Sequence, residues 1–301
     1  MRLSQIRDFL AVVESGSIRA AARKLEVAQP TVTKSVRSLE AELEVQLLQR
    51  TTHGAVPTSA GRAFFARARI AQAELRKAKE EVTQHRGEGG GSVAFGIGPA
   101  SGVSILPEAV ALFREQYPHA RMRITEALGH ALWPLVRDGT LDLALALKPD
   151  LKREPALRFR PLCRMGFAVV ARKGHPLRNA QSLTRLVDAN WLSLLPPPAS
   201  GGALDQTFSA AGLPGPRPVI ECNSHTTMVT LLAKTDMVGT ISRWLLAEPL
   251  VRDRLQEIEV VEPMPSFTVG IITRKESPLT PVAAAMARAV TIAVRHFARP
   301  R

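Results

Sequence analysis

The chain has 301 residues, 45% of them apolar and 22% charged, which is too long for one compact core and fits two or three units. Its net charge of +13 suits an anionic partner, while the lack of any run of about 18 or more apolar residues excludes a transmembrane helix and gives no reason to expect a membrane partner. Two cysteines, Cys163 and Cys222, are too few and too isolated for a disulfide scaffold or a zinc site, so no metal and no cofactor is expected. The first sixteen residues carry charges through their apolar stretch and do not read as a secretion signal. A reducing, cytoplasmic location follows as the expectation. The excess charge does not mark one end: residues 1–90 hold 15 Lys/Arg against 10 Asp/Glu, a surplus of +5, and the other +8 lies in residues 91–301. Motifs must therefore carry any statement about a partner.

The first sixty residues read as short helices. Leu3, Ile6, Leu10 and Val13 recur at helical spacing until Gly16 stops them. Ser17 suits the N-cap of a second helix from Ile18 to Leu25, and a third starts near Gln29-Pro30, with Val32, Val36, Leu39 and Leu43 as its apolar stripe. Residues 50–58 are turn-rich and predict a small hairpin. Over residues 59–86, Phe64, Ala68, Ala71, Leu75, Ala78 and Val82 are spaced 4, 3, 4, 3 and 4 apart. That is a heptad seam flanked by charges, and a dimerising coiled coil explains it better than a helix packed on its own domain. Gly87-Glu88-Gly89-Gly90-Gly91 is the clearest linker. Beyond it, strand-like runs (92–98, 121–126, 142–147, 166–171, 191–195, 218–223, 238–242, 267–273) alternate with helical ones (107–116, 132–137, 203–211, 226–233, 281–297). Such alternation predicts largely parallel sheets covered by helices.

The third helix has the pattern that a recognition helix needs, apolar residues on one side and short polar or basic ones on the other. Gln29, Pro30, Thr33, Lys34 and Arg37 fall away from the Val32/Val36/Leu39 stripe. Gln pairs bidentately with adenine and Thr meets base edges or a thymine methyl; Lys34 and Arg37 suit bases or phosphates, and phosphate contacts set register rather than sequence. Any short amphipathic helix would share part of this pattern. The order of the pieces is more specific. Phe9-x-x-Val12-x-Glu14-x-Gly16-Ser17, Ala20-Ala21-Ala22-x-x-Leu25, Gln29-Pro30-x-Val32-Thr33, Val36-x-x-Leu39-Glu40, Leu47-Leu48-x-Arg50 and Pro57-Thr58-x-Ala60-Gly61 follow one another over about sixty residues, and together they resemble the signature of LysR-type transcriptional regulators.

The resemblance implies a fold of α plus α/β class: a winged helix-turn-helix over residues 1–58, a dimerising linker helix over 59–88, and over 91–301 an effector-binding domain of two α/β subdomains, similar to periplasmic solute-binding proteins. Its subdomains would comprise 91–161 with 267–301, and 162–266. It implies a homotetramer, a dimer of dimers, on double-stranded promoter DNA, with RNA polymerase as a further partner and DNA bending altered by a small-molecule effector. Gln29, Pro30, Thr31, Thr33 and Lys34 match its recognition-helix positions, and Arg50, Thr51, Thr52 and His53 match the start of its wing, where a basic side chain reaches phosphate or minor groove. The chain departs from the family at Ala28, where a capping Ser or Thr is usual.

Three junctions in the second half suit an anion held by backbone N–H groups at a helix N-terminus: residues 96–102, 196–202 and 222–226. Ligands in open α/β folds favour the carboxyl ends of strands, and the family places its effector in a cleft between subdomains. Ser101, Gly102, Ser193, Ser200, Asn223 and Ser224, with His130 beside them, are thus the expected effector contacts, each also serviceable as an ordinary cap or turn residue. His130, His175 and His225 lack metal-ligand spacing and are expected on the surface or in loops. Cys163 and Cys222 are read as buried, inert thiols in preference to a redox switch. Arg158, Arg160 and Arg164 alternate along a strand-like run as a solvated face. Neither a Gly-x-Ser-x-Gly elbow, a phosphate-binding Walker loop nor a dinucleotide fingerprint is present, which argues against an enzyme. A purely architectural DNA-binding protein is the other alternative, disfavoured by the three polar junctions.

Overall fold

A computed structural model describes residues 1–51, 54–85, 90–194, 203–215 and 219–298. The chain divides into two compact units, Met1–Glu88 with the turn Arg137–Thr140, and Gly89–Val136 with Leu141–Arg301.

The first unit contains α1 (Leu3–Ser15), α2 (Ile18–Lys24), α3 (Gln29–Glu42), the antiparallel hairpin β1 (Leu48–Thr51) and β2 (Gly54–Pro57), and the long α4 (Ser59–His85). Its core is Ile6, Phe9, Leu10, Val12, Ala21, Val32, Val36, Leu39 and Leu47. The buried stripe of α1 differs from the predicted one. Leu3 is exposed and Val13 only half-buried, while Phe9 and Val12 are fully buried, because Phe9 meets Phe64 of α4 edge-on with ring centroids 5.3 Å apart. Gly16 ends α1 in the left-handed region at φ 69, and the Ser17 hydroxyl caps α2 by accepting from the N–H of Ala20 at 3.1 Å. Ala28 gives α3 no side-chain cap, a loss of about 1 kcal/mol, which Pro30 in the first turn partly offsets by pre-setting φ.

The second unit opens with β3 (Ser92–Ile97), α5 (Pro99–Ser104), α6 (Leu106–Gln116), β4 (Arg121–Glu126), α7 (Gly129–Arg137), β5 (Leu143–Leu147) and β6 (Leu157–Arg172). A 3-10 turn (Leu183–Leu186), β7 (Trp191–Leu194), α8 (Ala203–Ala210), β8 (Ile220–Cys222), α9 (His225–Lys234), β9 (Val238–Ser242), α10 (Arg243–Ala247), α11 (Pro249–Arg252) and β10 (Leu255–Glu257) follow. β11 (Ser266–Arg274) and α12 (Pro281–Phe297) complete it. The strand order is β4-β3-β5-β11-β6-β9-β7-β8, with β10 against β6. The expectation of largely parallel pairing holds for two three-strand blocks, β4-β3-β5 and β9-β7-β8. It fails at the centre, where β11 is antiparallel to β5 and β6, and β6 to β9.

One strand therefore belongs to both blocks. Residues 157–166 of β6 pair with β11, and residues 167–170 pair with β9. The predicted strand covered only the second portion. The first alternates Arg158, Arg160 and Arg164 with apolar residues and contains Pro161, which cannot donate to a ladder. A register shift between Val269 and Gly270 accommodates the proline, and only glycine fits there, since a Cβ on Gly270 would lie 2.2 Å from the Arg160 carbonyl oxygen. The buried Asp142 ties β5 to β3: its backbone N–H donates to Ala94 O and its carboxylate accepts from Ala94 N–H, both at 2.8 Å.

Candidate nucleic-acid interface and effector site

In the first unit, burial sorts α3 into two faces. Val32, Val36 and Leu39 are buried, while Gln29, Pro30, Thr31, Lys34 and Arg37 are exposed. Thr33 is half-buried, its hydroxyl donating to the Gln29 carbonyl at 3.1 Å. The hairpin is fixed relative to this face from both ends. Glu40 near the end of α3 accepts from the N–H groups of Leu47 and Leu48 at 2.8 and 3.0 Å. The Thr58 hydroxyl donates to Gln46 O at 2.8 Å and accepts from Gly61 N–H at 3.0 Å, closing the first turn of α4. A Cβ on Gly61 would fall 1.9 Å from Leu47 O, so the chain needs glycine there. At the other end, Ala55 N–H donates to Gly16 O at 2.8 Å.

Two surface depressions flank α3. One, of about 800 Å³, is lined by Gln29, Pro30, Thr33, Lys34, Arg37 and Ser38. The other, of about 430 Å³, lies between α2, α3 and the hairpin and is lined by Ser17, Ile18, Arg19, Gln29, Thr33, Arg37, Thr51, Gly54 and Ala55. Arg19 and Ser38 were not singled out in the sequence, and Ser17 only as a helix cap; a lone arginine at the start of a short helix carries no pattern. Arg50 lies in β1, and Thr52 and His53 are outside the described residues.

In the second unit, pairing fixes where the strands end. The carboxyl end of β5, Leu147, stands opposite Val269, which stands opposite Cys163 of β6. The carboxyl end of β9, Ser242, stands opposite Phe167 of β6. The two parallel blocks run in opposite directions, and their carboxyl ends converge on the middle of β6. Ser101 and Gly102 follow β3, and His130 follows β4. Ser193 lies in β7, and Asn223 and Ser224 follow β8. Ser200 is outside the described residues.

Ser101 is buried, and Gly102, His130, Ser193 and Ser224 are half-buried. The Ser193 hydroxyl donates to Leu194 O at 3.0 Å. Ser224 caps α9 by accepting from Thr227 N–H at 3.2 Å, and Asn223 is exposed. Three cations lie near the same midline: Lys148 after β5 and Arg243 after β9, neither singled out in the sequence, and Arg164 in β6, read there only as part of a solvated face. Arg164 donates to the Ser266 hydroxyl at 3.1 Å, and Arg243 pairs bidentately with Glu257 at 2.7 and 2.6 Å.

Of the histidines expected on the surface or in loops, His175 lies in the loop after β6 but is buried there, while His225 departs from the expectation. His175 is 2% exposed, its Nδ1 accepting from Leu177 N–H at 3.0 Å. His225 opens α9, and its Nδ1 is buried without a hydrogen-bond partner among the described residues. Burial lowers its pKa to about 4, so the ring is neutral at physiological pH. Both cysteines are free. Burial pushes the Cys163 thiol up to about 11, which withholds the nucleophilic thiolate. Among the described residues, no group of three or more His, Cys, Asp or Glu could hold a metal ion, and no helix is long and apolar enough to cross a membrane.

A helix-turn-helix with a wing, joined by one long helix to an α/β unit whose strand ends face each other, defines a DNA-binding regulator that carries its own small-molecule receptor. The chain belongs to the LysR family: residues 3–62 match the bacterial regulatory helix-turn-helix protein, lysR family, and residues 86–294 match the LysR substrate binding domain. It is a transcription regulator whose DNA binding responds to an effector. The HTH-type transcriptional regulator GalR of Pseudomonas putida is 29% identical over 289 residues, covering 94% of this chain and 71% of that protein. The SDS degradation transcriptional activation protein of a Pseudomonas species is 28% identical over 292 residues, 94% of each chain. Among solved structures, the LysR family regulator CbnR superposes with a TM-score of 0.69 at 22% identity over the whole of both chains. Full-length OxyR from Pseudomonas aeruginosa does so with a TM-score of 0.70 at 21% identity, over 98% of this chain and 95% of that one. At such identities these structures speak for the fold alone.

Proposed function

We propose that α3 enters the major groove of promoter DNA with Gln29, Pro30, Thr31, Thr33 and Lys34 toward the bases, while Arg50, Thr51, Thr52 and His53 of the wing meet the backbone or minor groove. The observation that carries this reading is the division of α3 into a buried Val32/Val36/Leu39 face and an exposed polar and basic one. The functional parts are residues 1–58, the linker helix 59–88 and the effector domain 91–301. In α4, Phe64 and Ala68 pack on the first unit's core, whereas Ala71, Leu75, Ala78 and Val82 are exposed, as a seam awaiting a second copy would be. The protein works in the cytoplasm as a dimer of dimers that engages RNA polymerase, and it turns over no substrate.

The effector is a small anion held where the two blocks' strand ends converge, among Ser101, Gly102, His130, Ser193, Ser200, Asn223 and Ser224. The unpartnered Nδ1 of His225 and the nearby Lys148 and Arg164 favour this placement. Binding there changes the packing of residues 91–161 and 267–301 against 162–266. It alters DNA binding only to the extent that the two arrangements differ in affinity for the effector.

Selection from a randomised duplex pool tests the DNA reading. Gln29→Ala and Thr33→Ala should broaden the selected sequence at one or two positions, each matched pair being worth about 1–3 kcal/mol of discrimination. Selected sequences identical to the wild type's in both variants would remove α3 from the base contacts.

A further inference from the structure

We propose that the effector is amphoteric, a carboxylic acid that also carries an ammonium group, with its acid drawn to Lys148 and Arg164 and its ammonium to Glu126. This rests on the effector lying where the strand ends converge, and it narrows the small anion of that reading to one chemical class.

Glu126 closes β4, opposite Ile97, the last residue of β3. A Cβ on Gly102 would lie 3.0 Å from Oε2 of Glu126 and 3.8 Å from its Cδ, so the carboxylate rests directly on α5 beside Ser101 and Gly102. Glu126 is exposed, and its carboxylate has no ion pair or hydrogen bond among the described residues. Like charges repel at this range, and more strongly once a ligand displaces the water between them. An anionic group at Gly102 would therefore sit against a second anion. An ammonium there meets an uncompensated acceptor.

The cations lie across the sheet from it. Lys148 follows β5, and its N–H donates to Thr268 O at 2.9 Å; Thr268 stands opposite Arg164 of β6. Lys148 and Arg164 thus flank one strand, β11. Lys148 is exposed and has no side-chain partner among the described residues. Arg164 meets a hydroxyl, that of Ser266 at 3.1 Å, which leaves its charge uncompensated. Arg243 differs, because its bidentate pair with Glu257 already neutralises it. Folding has left two unbalanced cations at one side of these strand ends and an unbalanced carboxylate at the other.

The spacing suits a small molecule. Glu126 and Leu145 both stand opposite Ile97. Lys148 is therefore two strands across from Glu126 and three residues further along. At about 4.8 Å per strand and 3.3 Å per residue, the two Cα atoms are about 14 Å apart. A long side chain from each side and a molecule of amino-acid size between them fill that distance.

Titration calorimetry on the full chain tests this with two series of probes: amino acids from glycine to 6-aminohexanoate together with the common α-amino acids, and the same carbon skeletons without nitrogen. At least one amino acid should bind about tenfold or more tightly than its nitrogen-free counterpart, as a hydrogen bond between charged groups provides. Glu126→Gln should erase that preference by weakening the amino acid alone. The double variant Lys148→Gln/Arg164→Gln should weaken both members of the pair. All three positions are exposed, so unliganded thermal midpoints should match the wild type's. Nitrogen-free acids that bind as tightly as amino acids overturn the proposal and leave the anion site standing; so does a preference that survives in Glu126→Gln, or wild-type affinity in the double variant. If no acid of either series binds, the effector-site reading falls, and this one with it.

Discussion

His225 sits at the start of α9 with a buried Nδ1 and a pKa lowered by burial from 6.5 to about 4. Between those values an unfolded chain takes up a proton at this ring and the folded chain does not. Stability is therefore complete above pH 6.5 and falls as the pH drops toward 4, by up to about 3 kcal/mol at this site. His225→Gln should abolish that component: urea midpoints of variant and wild type should converge or cross as the pH is lowered from 7 to 4. Two curves that remain parallel would show that the ring is freely hydrated. The sequence could not reveal this residue, because a histidine after Asn223-Ser224 looks like any polar cap, and its burial is set by elements far along the chain. The residues that anchor the hairpin were legible as a pattern without their reasons. Gly61 is required by a carbonyl 1.9 Å from where its Cβ would be, and Glu40 by two N–H groups of the approach to β1.

At the level of elements, α3 and α4 were readable because periodicity reports directly on burial. Val32, Val36 and Leu39 are buried as the spacing predicts, whereas Leu43, the last member of the predicted stripe, is the exposed C-cap of α3; the heptad seam of α4 divides at Ala68 into a packed portion and an exposed one. Leu75 is 48% exposed and Val82 60%. Leu75→Asp should move the protein toward monomer in sedimentation velocity and leave the fold of residues 1–58 intact. A dimer of undiminished strength would assign the seam to something other than a second copy. The parallel strands β3, β5, β7 and β9 were equally legible as short apolar runs, and β4 as an alternation of apolar with polar residues. The amino half of β6 was read only as a strand-like run with a solvated arginine face and not joined to the strand at 166–171, because Pro161 interrupts it; β10 was not read, its three residues owing their conformation to pairing with β6. The six-residue or shorter helices α5, α10 and α11 are below the length at which a stripe can be seen.

Across the whole second unit, the predicted alternation of strands and helices gave the right layers but not the antiparallel centre, since nothing local says that β11 returns from the end of the chain to lie between β5 and β6. That return has a consequence for how the unit comes apart. One continuous hydrophobic cluster contains Phe95 and Leu145 from the first block together with Met228 and Ile241 from the second. Trp244 of α10 meets Phe297 of α12 edge-on with centroids 5.3 Å apart. Neither block can lose its packing and leave the other with a closed interior. Calorimetry of the unit should accordingly show one endotherm, with van't Hoff and calorimetric enthalpies equal, and a bound carboxylate should move that endotherm as a whole. Two resolved peaks would mean that the blocks melt separately. With a shared interior, local damage in either block is felt as loss of the entire receptor, so partially degraded forms with half a binding site should not accumulate.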